Sequence, residues 1–189
     1  QYAKCIQSNV YKNAWQLSGQ IYFRGVYLPL KILNKMQFVS EDVIMDIVER
    51  FDDNEKQFFK LQDKISNEQP ALAALLTDEN LDLLNDEEYE LLWFVVVVIY
   101  ASIEKVNGAI LPCSLPAVEA MEELNWEKLG ENNNIPFRGR LDVFYASTKQ
   151  EDMLSFIEDS FESDEDLRIS PASREVLFIT AKTCMDALL

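Results

Sequence analysis

Thirteen consecutive residues without a charge, Leu91 to Ile103 (LLWFVVVVIYASI), constrain this chain more than any other stretch. A membrane-spanning helix needs roughly 20 apolar residues. Acids also crowd the entrance at Asp86, Glu87, Glu88 and Glu90, so a span is rejected. Four successive valines favour a strand by propensity, and a buried strand starting near Leu92 is the competing reading. Asn85 and Glu88, however, stand at the N-cap and N3 spacing of a capping box, and Asn107-Gly108 supplies a helix stop. Asp86 to Val106 is therefore read as one helix. Apolar on every side through its middle, it belongs at the centre of a bundle.

The flanking segments read as the layers that bury it. Ser40 is read as the cap of a helix with Glu41 and Asp42 in its first turn, where acids suit the dipole. Ile44, Phe51, Phe58 and Ile65 then recur at seven-residue spacing, predicting an amphipathic helix over Glu41 to Ser66. Pro70 breaks it, and Ala71 to Leu84 reads as a shorter apolar helix or helix pair. Ser114 and Pro116 introduce a helix to about Leu129, with Val118, Met121 and Leu124 on one face. Gly130 to Gly139 (GENNNIPFRG) is rich in turn formers. Thr148 and Glu151 have capping-box spacing for a helix to Phe161 that points Met153, Ile157 and Phe161 inward. Ser170-Pro171 is a cap followed by Pro at the first helical position, opening a last helix that carries Leu177, Ala181, Cys184 and Leu188. Aromatic and aliphatic residues fill the first forty positions almost continuously, interrupted by Gly19, Gly25 and Pro29, and we read two short or kinked helices there. Trp15, Gly19 and Tyr22 match the spacing of a tetratricopeptide first helix, but Ser18 stands where Leu is expected and no second copy follows.

The expected fold is thus all-α or nearly so. It is a single irregular bundle of six to eight helices around 86–106, with room for one short strand pair near 135–147. One domain of 189 residues is long enough to bury a full core. Residues 1–40 form a basic, aromatic-rich segment expected to dock on the acidic body 41–189.

Charge narrows the partners. The net charge is −16, which argues against nucleic acid and against anionic membrane surfaces, since both need a basic footprint. The distribution is uneven: Lys4, Lys12, Arg24, Lys31 and Lys35 precede Ser40 with no acid among them, whereas all 33 acids lie beyond it. Cys5, Cys113 and Cys184 are odd in number and lack CxxC spacing, a pattern of reduced thiols that points to the cytoplasm.

The chain has no histidine, which removes Ser-His-Asp and Cys-His catalysis and the HExxH zinc site at once. No GxGxxG, P-loop or EF-hand loop is present, so no catalytic residue, metal or cofactor is assigned and the reading leans away from an enzyme. Two candidate sites remain. Arg138 and Arg140, flanking Gly139, form the one tight basic pair of the acidic body. They suit bidentate capture of a carboxylate or phosphate, or salt bridges to neighbouring acids. Glu158, Asp159, Glu162, Asp164, Glu165 and Asp166 form the densest acidic stretch, suited to a basic partner surface. The leading expectation is a non-enzymatic module that binds a basic protein, in its most specific form an immunity- or inhibitor-type protein. The alternative is a small-molecule-binding protein or histidine-free enzyme with an anion site at Arg138 and Arg140.

Overall fold

The computed structural model describes backbone strands within residues 1–35 and all of 36–189 except 131–133 and 164–166; the side chains of 1–35, 52, 53 and 80 lie outside the described residues. The chain divides into two compact units, Gln1–Met36 and Gln37–Leu189.

In the first unit, strands β1 (Lys4–Cys5), β2 (Trp15–Leu17), β3 (Gln20–Phe23) and β4 (Val26–Pro29) form an antiparallel sheet in the order β1-β2-β3-β4. Trp15 pairs with Tyr22, and Tyr22 with Tyr27. This corrects the expectation of two short helices. The paired positions are rich in Trp, Tyr, Phe, Ile and Val, residues that fit a pleated surface better than a helix.

The second unit is all-α among its described residues. Helices α1 (Glu41–Asp53), α2 (Glu55–Glu68) and α3 (Pro70–Leu75) lead through a 3-10 turn at Glu79–Leu83 into α4 (Asp86–Asn107). Helices α5 (Leu115–Gly130), α6 (Phe137–Arg140), α7 (Asp142–Tyr145), α8 (Glu151–Ser160) and α9 (Pro171–Leu188) follow. The charge-free run Leu91–Ile103 lies within α4, a helix and not a strand. Its capping box is formed in both directions: Glu88 N–H donates to Asn85 Oδ1 (2.9 Å) and Asn85 N–H to Glu88 Oε2 (3.1 Å). Gly108 ends it at φ 81°, a left-handed conformation that costs a β-carbon residue more than glycine. Successive residues step about 100° round a helix, so Val95, Val96, Val97 and Val98 point to four sides and need cover on all of them. Helices α1, α2, α8 and α9 pack on α4 and supply that cover, and all four valines are fully buried.

Elsewhere the local chemistry redraws several boundaries. The single helix expected over Glu41–Ser66 is broken at Asn54, whose non-helical backbone leaves α1 and whose side chain caps α2 by accepting from Gln57 N–H. The seven-residue stripe survives the break: Ile44, Phe51 and Ile65 remain buried. The strand pair allowed near 135–147 is replaced by α6 and α7. There Arg140 N–H donates to Pro136 O and Ala146 N–H to Asp142 O. Leu141 and Phe144, three apart, are both fully buried, a helical period rather than the alternation a strand needs. In α5 the buried residues are Val118, Asn125 and Leu129, while Leu124 is 47% exposed. Thr148 does not cap α8, because its hydroxyl accepts from Gln150 N–H two residues on.

Candidate functional site

Both candidate arginines already hold carboxylates. Short helix α6 carries Arg138 outward, 71% exposed, with Nε 2.9 Å from Glu158 Oε1 and Nη1 3.3 Å from Glu162 Oε1. Arg140 turns inward, 9% exposed, and pairs with Glu175 of α9. Its guanidinium also lies over the Phe137 ring, 5.6 Å from the centroid. The two arginines therefore point to different surroundings and do not converge.

The acidic stretch is likewise divided by burial. Glu158 is 8% exposed and faces the interior, where Tyr145 O–H donates to Oε2 at 2.7 Å. Burial, then that hydrogen bond, pushes the Tyr145 phenol up to about 12. Glu162 is exposed and pairs with Arg138, Asp159 is exposed, and Asp164, Glu165 and Asp166 lie outside the described residues.

Asp159 belongs instead to a cleft of about 410 Å³ between α1 and α8. Its walls are Glu41, Ile44 and Met45 from α1 and Asp152, Ser155, Phe156, Asp159 and Ser160 from α8. On each helix these positions recur at three- and four-residue steps, which is one helix face. Asp152 also ties the two walls together. The Ser40 side chain makes no cap, and Glu41 N–H donates instead to Asp152 Oδ2 at 2.9 Å. A carboxylate at a helix N-terminus meets both an orphan donor and the positive end of the dipole. Apolar Ile44, Met45 and Phe156 lie among three carboxylates, and no Lys or Arg lines the cleft. Met45 is 44% exposed.

Sequence reasoning reached Asp159 but missed Glu41, Met45, Asp152 and Phe156 as parts of one site. The available signal was the second stripe of α8, 152/155/156/159/160, beside the buried stripe Met153, Leu154, Ile157 and Phe161. A more open depression of about 760 Å³ is lined by Glu79, Asp82, Leu83, Trp126 and Val176.

Several polar groups elsewhere are bonded within the fold. Lys182 is buried against Asp186, and burial pushes its ammonium below the ordinary lysine value. Asn125 donates to Thr183 and Asp186 beside it. Buried Gln69 accepts from Cys113 N–H and donates to Leu111 O, holding the chain between α4 and α5. Cys113 and Cys184 are free thiols, and burial raises both above the usual range. Among the described residues no cluster of three or more Cys, Asp or Glu is placed to hold a metal ion, and no helix is long and apolar enough to cross a membrane. Comparison with known proteins finds no matching family model, no matching curated protein and no matching solved structure.

Proposed function

We propose that this protein is a binding module for a basic protein partner, and that the α1/α8 cleft receives a segment of that partner. The reading rests on one observation: a cleft in which Met45 and Phe156, over the buried Ile44, share the lining with the carboxylates of Glu41, Asp152 and Asp159, with no Lys or Arg among the lining residues. A partner that offers an apolar side chain flanked by Lys or Arg complements both features. The wider charge distribution supports it. Arg50, Lys64, Lys105, Arg138, Arg140 and Lys182 each hold a carboxylate of their own unit, so much of the cationic charge of the helical unit is spent internally. An immunity- or inhibitor-type protein that covers a basic surface of its target is the specific form of this reading. The anion-site alternative loses support, because Arg138 and Arg140 are engaged by Glu158, Glu162 and Glu175.

The test is affinity capture of the tagged protein from its native lysate at low and then moderate salt, run beside Glu41→Lys/Asp159→Lys. A stoichiometric basic partner that leaves as salt rises and never binds the variant supports the reading. Wild-type bait without a partner, or a partner held equally by the variant, overturns it.

A further inference from the structure

Resting on that reading, we propose that the occupant of the α1/α8 cleft is an amphipathic helix. It carries Lys or Arg seven residues apart on one face, with a large apolar residue between them. The cleft is walled by two helix faces rather than by loops: positions 41, 44 and 45 of α1, and 152, 155, 156, 159 and 160 of α8. Two helix faces that line a common groove present the ridges and grooves into which a third helix packs. The order of chemistry along α8 sets the register. Asp152 stands at one end, Phe156 four residues on and Asp159 seven on, and a rise of about 1.5 Å per residue puts the two carboxylates about 10 Å apart along the axis. A helix laid alongside has its own positions i and i+7 at that same separation on one face, and the intervening i+3 and i+4 reach Phe156 and Met45. An extended segment alternates its side chains between two faces, so cation, apolar residue and cation on one side span about 13 Å, a poorer match to the carboxylates than the helical i, i+7 pair.

Three fluorescein-labelled peptides of about 15 residues, long enough for marginal helicity, test the assignment by fluorescence polarisation against the full chain. The first has Lys at i and i+7 with Leu at i+3 and i+4 on an Ala/Gln host. The second has the same composition with the distal Lys moved to i+5, roughly 140° round the helix. The third has a central Pro that prevents the helix. The first is expected to bind, salt-sensitively, and the other two about tenfold more weakly, as loss of one or two charge contacts with apolar seating implies. Asp159→Asn should weaken the first peptide and leave the second unchanged; Asp152 is left intact because it caps α1. Equal binding of all three overturns the helical register while the basic-partner reading stands. If none binds, the register is overturned and the capture experiment alone decides the broader reading. Spermine displacing the first peptide at equal concentration assigns the cleft to polyamines and also overturns the proposal. A doubled sedimentation mass of the free protein that Asp159→Lys abolishes assigns it to a second copy, with the same consequence.

Discussion

Asp152→Ala separates the two jobs that one carboxylate performs in the α1/α8 cleft. Helix α1 begins with orphan N–H donors that its preceding Ser40 leaves uncapped, and Glu41 N–H is taken by Asp152 from a helix 111 residues away in sequence. Removing a side-chain acceptor at a helix start costs about 1 kcal/mol. Losing a negative charge at the positive end of the dipole adds about 0.5 kcal/mol. Relief of repulsion with Glu41 returns a few tenths, as expected for charges with access to solvent. The net loss is about 1–1.5 kcal/mol, a fall in Tm of about 2–6 °C for a chain of this size. Asp152→Asn keeps an acceptor and should lose only the charge contribution, about 0.5 kcal/mol. Ser40→Ala should be neutral, because that hydroxyl caps nothing. Far-UV circular dichroism on heating, with urea unfolding to check that the m-value is unchanged, measures all three. If Ser40→Ala costs as much as Asp152→Ala, or if Asp152→Ala is neutral, the cross-helix cap is not what holds the start of α1.

Three further substitutions probe the frame. Asn85→Ala should cost about 1 kcal/mol by opening the capping box of α4, and adding Glu88→Ala should cost less than the sum of the singles, because the two bonds are reciprocal; urea midpoints measure both. Asp186→Ala leaves the buried Lys182 ammonium without its partner and should destabilise by about 3 kcal/mol, whereas Lys182→Met/Asp186→Leu should be near neutral. Burial holds the Lys182 pKa below 10.5, so its contribution is present above that value and is lost as pH falls through the folded pKa; Lys182→Met should flatten that part of the pH–stability curve. Tyr145 carries the opposite sign. Its phenol is raised from 10.0 to about 12, so its stabilisation is complete below pH 10 and lost as pH rises through about 12. Tyr145→Phe should delete one late-ionising phenol from the alkaline ultraviolet titration, and an unchanged titration end would refute the Tyr145–Glu158 contact.

What was legible in the sequence was whatever is encoded within a turn or two of helix. The Asn85–Glu88 box, the Gly108 stop, the Ser170-Pro171 start and the buried run at the centre of α4 all depend on neighbours in the chain, and each is found where the spacing puts it. Failures came where two local choices compete. Asn54 offers a cap inside an unbroken apolar stripe, and the cap wins. Thr148 has capping-box spacing, but a bond two residues on is closer at hand. Short apolar pieces such as 140–147 and 15–29 carry no decisive period in the sequence: a strand pair was allowed in the first, which is helical, and helices were read in the second, which forms a sheet. The cleft was hidden for a different reason. Its acids come from α1 and α8, and nothing local tells Glu41 that Asp152 will lie beside it. In the sequence Glu158 and Asp159 are adjacent and alike; a step of about 100° round α8 buries the first against Tyr145 and leaves the second in the cleft.

That step also makes Asp159 a residue whose retention conflicts with stability. It lies in the last turn of α8, which ends at Ser160, where the negative end of the helix dipole disfavours a carboxylate by about 0.3–1 kcal/mol. Glu41 and Asp152, lining the same cleft, add like charge. Among the described residues no cation is paired with Asp159 to offset either. Asp159→Asn should therefore raise stability by about 0.5 kcal/mol in low salt, or about 1–2 °C in Tm, and the gain should shrink towards zero near 1 M salt, where the screening length falls to about 3 Å. The same substitution should weaken the Lys i, i+7 peptide severalfold. Opposite signs in the two assays are what a binding surface held against the preference of its own fold produces. A variant that loses stability and affinity together would instead make Asp159 a structural residue, and one that changes neither would remove it from the cleft's chemistry.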